Sequence, residues 1–485
     1  MSFITLQFVA LFITVVPLYF VLPLERRWLL LLIASYIFYA GSEIFYLPLI
    51  LTSTLIDFYA AQAIERTPAE QTARRRFYLS LSIFTNLGML FFFKYLGFFT
   101  NTATVALSQF GITYAPIISD VLLPVGISFY TFQSMAYTID VYRGTIPAEK
   151  HLGIFATFVA FFPQLVAGPI ERASNMLPQF RQKFTFDYGR VVSGLRLMLW
   201  GAFSKVVIAD RLAVYVNTVY GDIERYSGYI LIIATVFFGA QIYLDFRGYS
   251  DIAIGAARVM GFDLMENFRQ PYVSTSVREF WRRWHISLST WFRDYLYFPL
   301  GGSRVPFWRN LMNILIVFSV SSLWHGATLT FLAYAVLHGI YVTFELVWMK
   351  IFNTFKRKPP RWQIIMQWAI TMVLLTFARI FFRAENWADG AYVVRNMFNN
   401  TLASGIYGAE PFNSTWLPEG LQLRIALLMV VFVYVYDQLA ERYPIAEWVS
   451  ARPILRWVCY IGGILLIVLT LMDIGDVPQF IYYQF

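Results

Sequence analysis

Three of the four histidines in this 485-residue chain lie in apolar surroundings. His285 follows Trp284, and His325 follows Trp324 and precedes a glycine. His338 lies thirteen residues after His325 and also precedes a glycine. An imidazole can take up or release a proton near neutral pH, so these rings are candidates for proton transfer. The alternative for His325 and His338 is a neutral ring that hydrogen-bonds between helices, and for His338 this is the favoured interpretation.

Charged residues also interrupt an apolar segment at QIYLDFRGYSDIAIG, residues 241–255. Asp245, Arg247 and Asp251 must pair with other groups or face a cavity if this segment lies in a membrane. The favoured interpretation is an Asp–Arg ion pair that holds a broken helix. Asp245 and Asp251 are retained as possible site residues.

The elements that would position His285 begin with the stretch 277–295. Its apolar residues recur with a period of 3.6, and an adjoining stripe of arginines includes Arg282. This pattern predicts one amphipathic helix, with His285 at the boundary between its two faces. An interfacial helix, with arginines on phosphates and tryptophans at the membrane surface, is the alternative.

Composition places these segments in a membrane. The chain is 58% hydrophobic and only 14% charged, whereas soluble domains are roughly 25% charged. The predicted spans are 4–24, 28–40, 45–62, 77–98, 121–140, 191–208, 227–245, 328–349, 364–383, 421–439 and 455–472. Two shorter apolar stretches, 152–170 and 311–321, predict re-entrant or broken helices. The second is too short to cross, which would leave His325 at membrane depth.

The net charge of +9 comes from lysines and arginines in loops and at helix ends. This distribution is typical of cytoplasmic loops and predicts no nucleic-acid partner. If 311–321 and 328–349 form a hairpin and 152–170 is re-entrant, the basic loops predict that both termini lie outside the cytoplasm. The lone cysteine, Cys459, excludes an internal disulfide and a cysteine-based zinc site, and no metal site is predicted.

The chain is expected to form a single all-α polytopic domain over residues 1–485. A basic, proline-containing hinge near 354–361 separates a helical core, 1–353, from C-terminal helices, 362–472. An extracytoplasmic tail, 473–485, ends in FIYYQF. An aromatic anchor at the membrane surface is the simplest interpretation of that ending.

Five segments together resemble the membrane-bound O-acyltransferase family, and most of the chain is covered. They are LLPVGISFYTFQ (122–133), FFPQLVAGPIER (161–172), QIYLDFRGYSDIAIG (241–255), EFWRRWHISLSTWFRDYLY (279–297) and SSLWHG (321–326). The branch most similar is that of bacterial polysaccharide O-acetylases of the alginate type. The resemblance implies 11–13 transmembrane or re-entrant helices in a ring around a central funnel, in the bacterial cytoplasmic (inner) membrane.

The resemblance also implies roles for particular residues. His325 matches the catalytic histidine of the family, His285 its second histidine, and His338 a histidine typical of the acetylase branch. Arg247 stands where the family usually has serine. In related systems a C-terminal F-x-Y-F motif carries the acyl group, which makes Tyr482 the implied acyl acceptor.

Tyr483 replaces the final phenylalanine of that motif and is a second candidate. A phenol, with pKa near 10, is easier to activate than a sugar alcohol, so a tyrosine suits an acyl carrier. The expected donor is a cytoplasmic thioester, acetyl-CoA, and no permanently bound cofactor is expected. Since the chain has no nucleophilic-serine signature, a separate extracytoplasmic acetylesterase-like protein is expected to pass the acetyl group to an envelope or secreted polysaccharide.

Three alternatives remain at this point. The first is D-alanyl transfer to teichoic acid, which stays within the family. The second is a secondary transporter, for which no inverted repeat is apparent. The third is a structural membrane scaffold, which leaves His325 without a role.

Overall fold

The computed structural model describes residues 1–111, 124–166, 168–326, 328–352, 360–399 and 419–474. Within those ranges the regular secondary structure is helical throughout. Eight helices are long and apolar enough to cross a membrane. The predicted all-α, polytopic class is therefore confirmed.

The first helices are α1 (Leu6–Val21), α2 (Leu24–Glu43), α3 (Leu47–Arg66), α4 (Thr72–Lys94), α5 (Leu96–Ser108), α6 (Ile127–Arg143), α7 (Leu152–Ala160), α8 (Ala173–Gln179), α9 (Tyr188–Phe203) and α10 (Asp210–Gly221). The remainder are α11 (Tyr229–Met260), α12 (Val277–Arg283), α13 (Ile286–Phe292), α14 (Phe307–His325), α15 (Leu329–Ile351), α16 (Arg361–Arg383), α17 (Trp387–Asn396), α18 (Glu419–Arg442), α19 (Ile445–Ser450) and α20 (Pro453–Ile474).

The chain divides into two compact units. The first comprises Met1–Met198 and Tyr249–Glu266, and the second comprises Leu199–Gly248 and Asn267–Phe485. Helices α9 and α11 contribute to both. All three candidate histidines belong to the second unit, so the candidate active site is expected in that unit.

In the first unit, two of the five sequence motifs meet around one carbonyl. Gln133 and Gln164 both donate hydrogen bonds to the carbonyl oxygen of Phe158, at 2.7 and 2.9 Å. Gly126 begins α6 with a φ of 78°, and a Cβ there would lie 2.7 Å from the Leu165 carbonyl oxygen. Only glycine fits this position, because it tolerates both the left-handed backbone and the close approach. These motifs therefore build the scaffold of the first unit.

Glu171 is the last residue but one of the second of those motifs and is fully buried. Its carboxyl group accepts hydrogen bonds from the Met265 backbone N–H at 2.5 Å and from the Asn175 side chain at 3.0 Å. Burial raises the pKa of Glu171 to about 7, although these hydrogen bonds oppose the rise. The two hydrogen bonds fasten the loop after α11 to α8.

In the second unit, a π-helical turn at Ser204–Ala209 joins α9 to α10 and points Lys205 inward. The Lys205 ammonium lies 2.5 Å from the Asp210 carboxylate and 2.8 Å from that of Asp245, and all three side chains are buried. Arg247, two residues after Asp245 on α11, pairs instead with Asp437 at 3.1 Å. Asp245 and Arg247 thus each have an ion-pair partner on another helix, Lys205 and Asp437 respectively. The predicted break is wrong, since α11 runs without interruption for 32 residues.

Helices α14 and α15 pack side by side as a hairpin. Helix α14 has 19 residues, from Phe307 to His325, and so extends beyond the apolar run at 311–321. It is not among the eight helices that are long and apolar enough to cross a membrane. The polar Asn313 sits inside this helix without breaking it, because its amide donates to the Leu300 carbonyl at 3.1 Å. His325 is the last residue of α14, at the turn of the hairpin.

Candidate active site

The predicted helix over 277–295 is broken at His285. Helix α12 ends at Arg283, α13 begins at Ile286, and His285 itself has a left-handed backbone, with φ 43° and ψ 54°. Such a conformation is unusual for a residue with a side chain and is typical of functional sites held by their surroundings.

The segment before α12 supports this break. The Arg269 N–H donates to the Arg283 carbonyl at 2.9 Å, and the Ile286 N–H donates to the Asn267 carbonyl at 2.9 Å. The Asn267 side chain also accepts a hydrogen bond from the Ser287 hydroxyl at 2.9 Å. These contacts satisfy the backbone groups that a helix break would otherwise leave unpaired.

The backbone reversal buries the imidazole of His285. Its ring is 4.6 Å from that of Phe246, edge to face, and 6.3 Å from that of Trp324. Burial lowers the pKa of His285 well below its ordinary value, and the neighbouring His325 lowers it further. His285 is therefore a neutral ring beside His325.

His325 and His338 line one small cavity of the second unit. The space open to the centre of a water molecule is about 10 Å³, which corresponds to roughly one water. The lining is mostly aromatic, and the side chains that form it are Phe238, Ile242, Phe280, Trp281, Trp284, His325, Tyr334, His338, Leu375, Arg379 and Phe382. A largely apolar cavity with a few convergent polar groups is the usual form of a ligand or reaction site.

The ring orientation of His338 is fixed by a tryptophan. The Trp281 indole N–H donates to Nδ1 of His338 at 3.1 Å. Because Nδ1 accepts this bond, the proton of the neutral ring resides on Nε2. The Nε2 of His338 can thus donate a hydrogen bond. Its Nδ1 accepts one from another helix, as the favoured interpretation of this histidine predicts.

Arg379 brings a positive charge to the same cavity. It lies on α16 and is 95% buried, since its relative exposure is 5%. Its guanidinium carbon is 5.1 Å from the ring centre of Tyr272 and 5.9 Å from that of Phe280. Phe382, one turn further along α16, places its ring 5.6 Å from that of His325.

The other predicted site residues lie around or away from this cavity. Trp324 is buried with its ring 4.8 Å from that of His325. Asp245 pairs with Lys205, Asp251 falls in the first unit, and the Arg282 side chain is exposed. Tyr482 and Tyr483 lie outside the described residues.

Reasoning from sequence missed Arg379 and Tyr334 as members of the site. Arg379 is an arginine within an apolar run predicted to span, 364–383, and this alone marks a functional candidate in a membrane protein. Tyr334, 4.4 Å from the His338 ring centre, has no such signal, because tyrosines are common throughout this chain.

A comparison with protein families matches residues 148–383 to the membrane-bound O-acyltransferase model. A probable alginate O-acetylase, AlgI, of Pseudomonas putida is 37% identical over 421 residues, covering 86% of this chain and 82% of the relative. The chain belongs to the membrane-bound O-acyltransferase family. It is therefore an O-acyltransferase, an enzyme and not a transporter, and the cavity histidines His325 and His338 lie within the matched region.

Other relatives of this acyltransferase carry names that refer to different polymers. The peptidoglycan O-acetyltransferase of Helicobacter pylori is 34% identical, covering 77% of this chain and 73% of the relative. The teichoic acid D-alanyltransferase of Bacillus subtilis is 26% identical, covering 54% of this chain and 68% of the relative. Similarity is thus higher and more extensive to the O-acetylating relatives.

Proposed function

We propose that this acyltransferase moves an acetyl group from a cytoplasmic thioester, acetyl-CoA, toward the hydroxyl groups of an extracytoplasmic polysaccharide. The observation that carries the proposal is the cavity lined by His325, His338 and Arg379 in a membrane acyltransferase. Acetyl is favoured over D-alanyl because the relatives named as O-acetylating enzymes are 37% and 34% identical to this chain, whereas the named D-alanyltransferase is 26% identical. The protein would work in the bacterial inner membrane, with its C-terminus outside the cytoplasm.

His325 is proposed as the general base. Its ring lies in the same cavity as a donor, His338, and a cation, Arg379. A base there can take the proton of an acceptor hydroxyl while the thioester carbonyl is attacked. His285, held neutral by burial beside His325, would keep the cavity free of a second positive imidazole.

The proposed acceptor inside this protein is Tyr482, with Tyr483 as the alternative. The tyrosine oxygen would form a bond to the acyl carbon, the thiol of CoA would leave, and the proton would pass through His325. The resulting phenyl ester would be attacked by a nucleophile of a separate acetylesterase-like protein, which then acetylates the polymer. A phenolate is a better leaving group than a sugar alkoxide, which favours onward transfer.

Replacing His325 by alanine tests the proposal, with His151→Ala as the matched control. His151 caps the N-terminus of α7 in the first unit, where its Nδ1 accepts from the Ile154 N–H at 3.1 Å. In cells that carry the polymer, His325→Ala should abolish polymer O-acetylation at an unchanged amount of membrane-inserted protein, whereas His151→Ala should retain it. Normal acetylation with His325→Ala would refute the general-base role.

The carrier is tested with labelled donors and tyrosine variants. Membranes incubated with radiolabelled acetyl-CoA should gain alkali-labile label on the protein, and Tyr482→Phe should lose it while Tyr483→Phe retains it. Loss only with Tyr483→Phe would move the role to that residue. Label retained in both variants would refute the relay, and transfer from a D-alanyl carrier protein in place of acetyl-CoA would favour teichoic acid as the polymer.

A further inference from the structure

The guanidinium of Arg379 is a buried cation without a matching anion. Neither terminal nitrogen forms a hydrogen bond with acceptable geometry, and Arg379 makes no ion pair among the described residues. The Tyr434 phenol lies near it, and its other close neighbours are the faces of Tyr272 and Phe280. Burying a charge without a partner anion is costly, which makes Arg379 a candidate functional residue.

The surroundings of Arg379 are built to hold it in place. The Tyr272 hydroxyl donates to the Gly239 carbonyl, and the Tyr272 ring supports the guanidinium from one side. A Cβ at Gly239 would lie 2.5 Å from Nη1 of Arg379, so only glycine leaves room for the arginine. A second tyrosine, Tyr434, stacks on Tyr272 at 4.8 Å. The cation is thus fixed before any substrate arrives.

Cavity size limits what this cation can bind. A space of about 10 Å³ for the centre of a water molecule holds one oxygen atom. The lining of this space is mostly aromatic, which is unfavourable for a permanently charged phosphate or carboxylate. The carbonyl oxygen of an acyl group fits, and it becomes negative only when the carbonyl is attacked.

We infer that Arg379 stabilises the oxyanion formed at the acyl carbonyl during transfer; the inference rests on the proposed function. The acceptor oxygen bonds to the acyl carbon while its proton goes to His325, and the carbonyl electron pair moves to the oxygen beside Arg379. The carbon–sulfur bond then breaks, the carbonyl re-forms, and the thiolate takes up the proton. A preorganised cation in a dry site stabilises such a charge more than it would in water.

The test is self-acetylation of the purified full-length protein by radiolabelled acetyl-CoA, with Arg379→Gln and Arg379→Lys as variants. In this assay kcat is the maximal rate of label gain at saturating donor, and KM is the donor concentration that gives half of that rate. Arg379→Gln should lower kcat by about 10²- to 10³-fold, with KM for acetyl-CoA changed by less than about threefold. The kcat of Arg379→Lys should lie between those of the wild type and Arg379→Gln, because lysine keeps the positive charge but lacks the forked N–H donors of the guanidinium. Arg383→Gln is the matched control, since Arg383 lies one turn along the same helix and bonds Asn217 at 3.0 Å outside the cavity.

Gly239→Ala provides a second route that keeps the arginine but displaces its guanidinium. It should lower kcat by about tenfold or more while thermal unfolding in detergent stays close to that of the wild type. Wild-type kcat in Arg379→Gln or Gly239→Ala would overturn the inference. A raised KM with unchanged kcat would also overturn it, because that pattern indicates binding of a ground-state anion.

His325→Ala in the same assay separates this inference from the proposed function. An inactive His325→Ala beside a fully active Arg379→Gln would refute only the role of Arg379. A fully active His325→Ala, or a wild-type protein that transfers nothing from acetyl-CoA, would refute the proposed function and the inference with it.

Discussion

Replacing Lys205 by methionine should strongly destabilise the second unit. The Lys205 ammonium is 2.5 and 2.8 Å from two buried carboxylates, Asp210 and Asp245. At an effective dielectric constant of about 20, one such contact corresponds to roughly 6 kcal/mol of Coulomb energy, most of it offset by desolvation. Removing only the cation leaves both carboxylates uncompensated, which costs about 3–5 kcal/mol.

The assay is unfolding of the purified protein in mixed micelles with increasing denaturing detergent, compared between wild type and variants. Lys150→Met serves as the control because Lys150 is exposed, and it should change stability by less than about 0.5 kcal/mol. A variant that also carries Asp210→Asn and Asp245→Asn should recover at least about 2 kcal/mol of the loss, because no buried charge then remains unpaired. The reasoning is refuted if Lys205→Met costs less than about 1 kcal/mol, or if the triple variant is no more stable than Lys205→Met.

Three further predictions concern the backbone break, the fixed imidazole and a buried carboxylate. His285→Gly should be about 1 kcal/mol more stable than His285→Ala, because glycine adopts the left-handed backbone without strain; equal or reversed unfolding midpoints would contradict this. Trp281→Phe should lower kcat about tenfold by removing the hydrogen bond that fixes the His338 ring, whereas Trp308→Phe, at an exposed site, should leave kcat unchanged; equal rates for the two would contradict it. Glu171, whose pKa is raised to about 7 from 4.5, favours folding when protonated, so its contribution falls as pH rises between about 4.5 and 7. Glu171→Gln should therefore gain stability relative to wild type across that window and level off above it, as measured by unfolding at several pH values, and a pH-independent difference would rule out this linkage.

Much of the site was predictable from sequence because its histidines follow recognisable motifs. His325 and His338 lie thirteen residues apart on a predicted hairpin, and the structure brings both to one cavity. The membrane class followed from composition alone, since so apolar a chain cannot hide its side chains in a soluble core.

Features that depend on distant partners could not be predicted from local pattern. The break at His285 exists because Asn267 and Arg269, in a separate segment, supply backbone hydrogen bonds. Periodicity over 277–295 is the same whether or not those partners are present, so it predicted a single helix. The pairing of Asp245 with Lys205 likewise crosses about forty residues of sequence, and no spacing rule on one helix indicates it.

The size of the cavity bears on how the enzyme avoids wasting its donor. A thioester next to a general base is readily hydrolysed if water can reach the same carbon. The space beside His325 holds about one water, so a carbonyl oxygen that occupies it expels that water as it arrives. Under the proposed function, expulsion of that water would favour transfer to the acceptor hydroxyl over hydrolysis of the donor.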